Sequence, residues 1–205
     1  MTEHYFSDSP TGPEHRRDVT VDLFGRQVSV QTANGVFAGD GLDRGTAVLL
    51  REVTPPSGSP RILDLGCGWG AIALALALSC PGAHVDAVDV NDRALALCRD
   101  NAARLGVSDR IRVARPDQLD EPTSYDQIWS NPPIRIGKSA LHELLLRWLP
   151  RLAPAGVAYL VVGKNLGADT LATWLTREGY HCTRVGSAKG FRVLGVRSGV
   201  SVTGG

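Results

Sequence analysis

Asp64-Leu65-Gly66-Cys67-Gly68-Trp69-Gly70 closes an apolar run and opens a helical pattern. Glycines at every second position let a backbone turn sharply and approach a ligand without Cβ collisions. The next acidic residue at the end of an apolar run is Asp89, followed by Val90. It stands at about the 20-residue spacing expected of a carboxylate that accepts hydrogen bonds from vicinal ribose hydroxyls. Loop and carboxylate together predict a nucleoside-type ligand, held by Asp64, Gly66, Cys67, Gly68, Gly70, Asp89 and Val90. Pro116-Asp117, after the following apolar run, is placed to meet a purine ring. On its own the glycine run also fits a nicotinamide or flavin dinucleotide, because Gly66-x-Gly68-x-x-Ala71 has that spacing.

A second constellation is Ser130-Asn131-Pro132-Pro133-Ile134. Two prolines fix the backbone and remove two N–H donors, so the loop presents carbonyl oxygens. The Asn131 amide oxygen and the Pro132 carbonyl could accept both hydrogens of a planar –NH₂. Such bonding draws the nitrogen lone pair out of conjugation and aims it at an electrophile. Positioning and electrostatics carry a step of this kind, and no general base is required. Asn-Pro-Pro can also simply end a strand in a rigid turn, but behind a glycine-rich loop chemistry is the better reading. Asn131, Pro132, Pro133 and Ile134 are therefore the expected catalytic loop.

These groups need a scaffold that brings strand ends together. Asp18–Thr32 alternates polar and apolar residues around Phe24-Gly25-Arg26-Gln27, which predicts a hairpin. Gly45–Val53 carries a helical apolar stripe, and Thr54–Pro60 reads as a linker. Strands are expected at Arg61–Leu65, His84–Val88, Ile111–Ala114, Tyr125–Ser130, Val157–Val162, Thr183–Val185 and Phe191–Val196. Helices are expected at Gly70–Ser79, Asp92–Leu105, Ser139–Leu149 and Asp169–Glu178. The alternation implies βαβ units and a doubly wound, mostly parallel, seven-stranded sheet covered on both faces. No helix fits between the last two strands, so they should pair antiparallel about Ser187–Gly190. Residues 1–60 read as a cap and linker belonging to the same domain, 61–200 as the ligand-binding core, and 201–205 as a disordered tail.

Composition narrows the class. The chain has 205 residues, 43% hydrophobic and 21% charged, the balance of an ordinary globular protein with one substantial core. A formal charge of +1 means that any nucleic-acid contact must come from a local patch. Cys67, Cys80, Cys98 and Cys182 contain no Cys-x-x-Cys pair, and no metal site is expected. The longest apolar run, Ala71–Leu78, is too short to span a bilayer, and Met1–Asp8 does not look like a secretory signal. A cytoplasmic protein with reduced thiols is the expectation.

The chain resembles the small-domain methyltransferases, a group that includes the bacterial small-subunit ribosomal RNA guanine exocyclic-amine methyltransferases. The resemblance rests on Gly35-Val36-Phe37 with Asp40-Gly41-Leu42-Asp43, on the glycine-rich and Asn-Pro-Pro stretches, and on Gly190-Phe191-Arg192-Val193-Leu194. His4-Tyr5-Phe6-Ser7 is similar to the start of the short members. The resemblance implies a Rossmann-like fold whose last strand is antiparallel, S-adenosyl-L-methionine as cofactor, and RNA as substrate. Thr46 then becomes a candidate for the methionine carboxylate, with helix capping as the alternative. Family members commonly place Ser-Arg where this chain has Ala38-Gly39, and the longer ones carry a further amino-terminal domain.

An aromatic residue often follows the prolines in amine methyltransferases, whereas this chain has Ile134. Phe37 is therefore a candidate to stack on the target base, while Trp129, inside a strand, reads as core. Arg135, Lys138 and Lys164, with Lys189 and Arg192, are candidates for a phosphate-contacting patch. The leading reading is methylation of guanine in ribosomal RNA. A protein glutamine amide, a nicotinamide-dependent oxidoreductase and a non-catalytic RNA-binding relative are the alternatives.

Overall fold

A type I′ two-residue turn needs positive φ at both central positions, and the first hairpin meets that need with Phe24 (φ 54°) and Gly25 (φ 80°). They join β1 (Arg16–Leu23) to β2 (Arg26–Ala33) in antiparallel register, Val19 opposite Val30 and Val21 opposite Val28. Arg26 and Gln27, expected in the turn, already belong to β2. The computed structural model describes residues 13–119, 123–133 and 136–199. Ile134, Arg135, the stretch His4–Ser7 and the tail 201–205 lie outside the described residues.

After α1 (Arg44–Glu52) the chain alternates strand and helix: β3 (Arg61–Leu65), α2 (Ala71–Ser79), β4 (His84–Val88), α3 (Asp92–Arg104), β5 (Ile111–Ala114), β6 (Tyr125–Ser130), α4 (Lys138–Trp148), β7 (Leu152–Gly163), α5 (Ala168–Arg177), β8 (Tyr180–Ala188) and β9 (Phe191–Ser198). The large sheet has the order β5-β4-β3-β6-β7-β9-β8, with β9 antiparallel to both its neighbours. β8 turns into β9 through Lys189-Gly190, again at positive φ. The antiparallel end is thus where the absence of a helix placed it. From β3 the chain moves outward to β4 and β5, then returns to β6 on the other side of β3. That reversal leaves a crevice at the carboxyl ends of β3 and β6, the usual ligand position of open α/β sheets.

Alternation along the strands divides the core. Ile62 and Trp129 face the side covered by α2, α3 and the hairpin, while Leu63, Leu65 and Ile128 face Leu141, Leu145 and Leu171 of α4 and α5. A register shift between Tyr125 and Gln127 lets Tyr125 join the second face. α2, Ala-Ile-Ala-Leu-Ala-Leu-Ala-Leu-Ser, is apolar all round because it is buried on nearly every side. Trp129 is fully buried, edge-on to Phe24 and 5.0 Å from Tyr159. Its place is the core, and no base can stack on it. Among the described residues no helix is long and apolar enough to cross a membrane.

The hairpin is tied to the core by one buried amide. Asn101 of α3 accepts from Gln31 N–H (2.7 Å) and donates to Gln31 C=O (2.9 Å) and to Trp69 C=O (3.1 Å). It closes the exposed edge of β2 and holds the glycine loop in one stroke. Asn101→Ala should destabilise the protein by about 1–3 kcal/mol for each backbone group left buried and unpaired. Urea unfolding monitored by circular dichroism checks this; a change within about 0.5 kcal/mol would show that water replaces the amide.

Candidate active site

Four strand ends converge on the crevice. β3 runs into Gly66, whose N–H, like that of Cys67, donates to Val88 C=O at 2.9 Å, so the glycine loop is pinned to the end of β4. The loop returns to α2 through Gly70 at φ 96°. A Cβ there would sit 2.7 Å from Cys98 Sγ, so both the conformation and the space require glycine. β6 is pinned alongside: buried Ser130 donates through Oγ to Leu65 C=O at 2.7 Å, which fixes the next residue, Asn131, relative to Gly66.

Two carboxylates, Asp64 buried and Asp89 half-buried, lie beside the loop. Asp89 accepts from Gly68 N–H (2.9 Å) on one oxygen and from Asn91 N–H (3.0 Å) on the other. Burial pushes its carboxyl above the usual range, although the backbone donors oppose that. Each oxygen keeps a lone pair for a hydroxyl donor. Asp64 accepts from Ala73 N–H at 2.9 Å, standing in for the side-chain cap that Gly70 cannot give to α2, while its Oδ1 is buried without a partner among the described residues. Burial first, and repulsion from Asp89, push Asp64 up to about 7.

Asp64 therefore makes stability depend on pH. Between the ordinary carboxylate value of 3.8 and about 7 the folded state holds a proton that the unfolded chain has lost. Stability must fall as pH rises through that window and level off above it. Thermal melts at about pH 5 and pH 8 should show a higher Tm at the lower pH, and Asp64→Asn should shrink the difference. An unchanged difference in the Asn variant would remove Asp64 as its source.

Asn131 is held from a distant part of the chain. Its Nδ2 donates to Asp43 Oδ2 at 2.7 Å and to Thr46 Oγ1 at 3.1 Å. Asp43 also caps α1, accepting from Gly45 N–H (2.7 Å) and Thr46 N–H (3.1 Å). Thr46 is thus engaged twice: its N–H by the cap and its hydroxyl by Asn131. Pro132 is buried and Pro133 exposed, with the Pro133 carbonyl accepting from Ile136 N–H.

Two cavities share this floor. One of about 380 Å³ has Asp89, Val90 and Asn91 on one wall and Leu65, Val88, Pro116, Pro133, Ile136 and Leu144 as apolar lining. A narrow one is lined by Asp43, Thr46, Cys67, Trp69, Ala71 and Ile72. Phe37, Gly66, Gly68 and Asn131 line both, so Asn131 stands at their junction. A larger cavity of about 610 Å³, between α1, the β1–β2 turn and Lys189, is lined by neither Asp89 nor Asn131.

Most of the expected residues meet at this place. Phe37 is 59% exposed at the rim, carried by a segment that Asn91 Nδ2 ties to α3 through Gly35 C=O. Gly39 leaves no room for a side chain: a Cβ would sit 2.6 Å from Ala33 C=O. Asp117 does not line the cavity; it is exposed and pairs with Arg115 at 3.9 Å. The cations also scatter. Lys138 borders a separate cavity with His142, Lys189 lies by the large one, Lys164 is exposed, and Arg192 pairs with Asp169. Asp43, Asn91 and Leu144 are additions that the sequence reading did not assign to the site. For Asp43 the signals were its place in the Asp40-Gly41-Leu42-Asp43 stretch and its N-cap position three residues before Thr46.

The larger cavity offers an apolar slot beside the Asp89 carboxylate, and the narrow one adds Asp43 and Thr46. Fold and site define a class I, S-adenosyl-L-methionine-dependent methyltransferase. The chain belongs to the methyltransferase small domain family, whose model matches residues 27–195. It is 28% identical over 197 residues to YbxB of Bacillus subtilis strain 168, covering 95% of this chain and 98% of that protein. It is 35% identical over 148 residues to ribosomal RNA large subunit methyltransferase G of Pseudomonas syringae, but covers only 40% of that protein and 69% of this chain. Among solved structures, the T. thermophilus 16S rRNA methyltransferase RsmC, in complex with AdoMet and guanosine, superimposes with a TM-score of 0.79 at 23% identity, over 92% of this chain and 52% of that one.

Proposed function

We propose that the chain methylates the exocyclic amine of guanine in ribosomal RNA. The observation that carries this reading is the Asn131 amide. Both its N–H groups are engaged by Asp43 and Thr46, so its oxygen is the end left to face a substrate where the two cavities meet. Asp43 is acceptor-only as a carboxylate, which fixes the orientation of the amide on chemical grounds. An acceptor at that point suits a donor such as –NH₂. When bound, S-adenosyl-L-methionine supplies an activated methyl group on a sulfonium centre. The protein's part is to bind, to orient and to exclude water. Asp89 holds the ribose, Val90, Pro116 and Leu144 enclose the base of the cofactor, and Asn131 with the Pro132 carbonyl orients the amine.

Phe37, exposed at the rim, offers a ring face to the target base, and Lys138 and Lys164 offer cations to flanking phosphates. Support for RNA comes from relatives that share the family and from a structural neighbour solved with guanosine. Labelled-methyl transfer from S-adenosyl-L-methionine to the RNA and protein fractions of cells lacking this gene tests the reading. Label in the RNA is the expected result. Label confined to protein would move the substrate to a side-chain amide, and none in either would leave the non-catalytic relative.

A further inference from the structure

We infer that Asp43 is a positioning residue for methyl transfer, acting through Asn131; the inference rests on the amine-methylating reading above. Capping explains only part of what Asp43 does. Its Oδ2 receives the N–H groups of Gly45 and Thr46, as an N-cap should, and a third hydrogen bond from Asn131 Nδ2 across 88 residues of sequence. The second Asn131 N–H goes to Thr46 Oγ1, on the same helical turn. If the amide rotated by half a turn, its oxygen would face a carboxylate and its –NH₂ would face the substrate amine, donor against donor. Asp43 therefore selects the orientation in which Asn131 can accept.

Gly45 belongs to the same device. A Cβ at this helical position would lie 2.9 Å from Asp43 Oδ2, 3.2 Å from Asn131 Nδ2 and 3.1 Å from Phe191 Cε1. A Cβ here would crowd the atoms at both ends of the Asp43–Asn131 bond, and glycine leaves them clear. Asp43-Arg44-Gly45-Thr46 thus reads as a unit: a carboxylate that caps and aims, a gap, and a hydroxyl that accepts the remaining hydrogen bond.

Serine and asparagine at position 43 separate capping from aiming. Asp43→Ser keeps an N-cap oxygen but is one atom too short to reach Asn131, whereas Asp43→Asn keeps both cap and reach without the charge. Single-turnover methylation at saturating cofactor, on RNA from cells lacking the gene, should fall about 10²-fold in Asp43→Ser. Most of the rate should remain in Asp43→Asn. In an Asn131→Ala background Asp43→Ser should cost nothing further, because the group through which it acts is gone. Gly45→Ala should behave like Asp43→Ser. In the ¹⁵N spectrum of the side-chain amides, Asn131 should be protected from exchange in the parent protein and in Asp43→Asn, and unprotected in Asp43→Ser.

Multiplicative losses in the double variant would overturn the inference, as would an equal loss for Asn and Ser, which would assign the effect to charge. A full rate for Asn131→Ala alone would instead remove the amine-methylating reading itself, so the two failures are distinguishable.

Discussion

Asn131→Ala should cut the rate of methyl transfer by about 10²–10³, the range seen when one hydrogen bond that matters only in the transition state is removed. Cofactor affinity should change little, since Asn131 is only one of the residues lining the cavity that also holds Asp89, Val90, Pro116 and Leu144. The size of the effect follows from the position. Asn131 lies where the two cavities meet, and the Ser130 bond to Leu65 C=O and the bonds to Asp43 and Thr46 hold it there before substrate arrives. Such preorganisation removes reorganisation from the reaction step. Asn131→Asp keeps an acceptor of the same size but sets a charge 2.7 Å from the Asp43 carboxylate, where the amide nitrogen had been. Partial activity for Asp above near-zero activity for Ala supports the acceptor role. Equal and full activity in both variants, corrected for folded protein by near-ultraviolet circular dichroism, would end it.

Asp89→Ala should weaken S-adenosyl-L-methionine binding by about 1.5–3 kcal/mol, roughly 10- to 150-fold in Kd by isothermal calorimetry, the value of a hydrogen bond to a charged group. Asp89 also braces the loop through Gly68 N–H and the start of α3 through Asn91 N–H, so part of the loss will be a looser glycine loop. Asp89→Asn separates the two contributions: it keeps an acceptor for one of these donors and loses the charge. Unchanged affinity in a folded Asp89→Ala protein would dismiss the ribose assignment, and tighter binding of NAD than of the methyl donor would dismiss the class.

The central strands were legible in the sequence because turn residues bracket them. Arg61–Leu65, His84–Val88, Ile111–Ala114 and Tyr125–Ser130 are observed with the boundaries their apolar runs indicated. β7 was under-read: Pro154 and Gly156 look like breakers, yet Leu152 pairs with Tyr125 before a register shift and the strand runs to Gly163. β8 was read as three residues and has nine, since an edge strand that is mostly polar gives no apolar alternation. Helix ends moved by one residue where glycine or leucine turned out to be the cap: Gly70 precedes α2 and Leu105 follows α3. The glycine loop, Asp89 and Asn131 could be found from local spacing alone. Asp43, Asn101 and Ser130 could not, because each acts through hydrogen bonds to partners 65 to 88 residues away. Asp117 shows the reverse error, in which nearness in sequence to Pro116 was taken for nearness to the site.

The most direct test of the whole account is the chemical position of the transferred methyl group. RNA from cells lacking the gene, labelled by the purified protein and digested to nucleosides, should yield the label on an exocyclic base nitrogen, with guanosine as the parent nucleoside. That outcome requires an acceptor facing a planar –NH₂, the role proposed for the Asn131 amide and the Pro132 carbonyl. A methyl group on a base carbon or a ribose hydroxyl would contradict it, because neither atom presents an amine for Asn131 to hold.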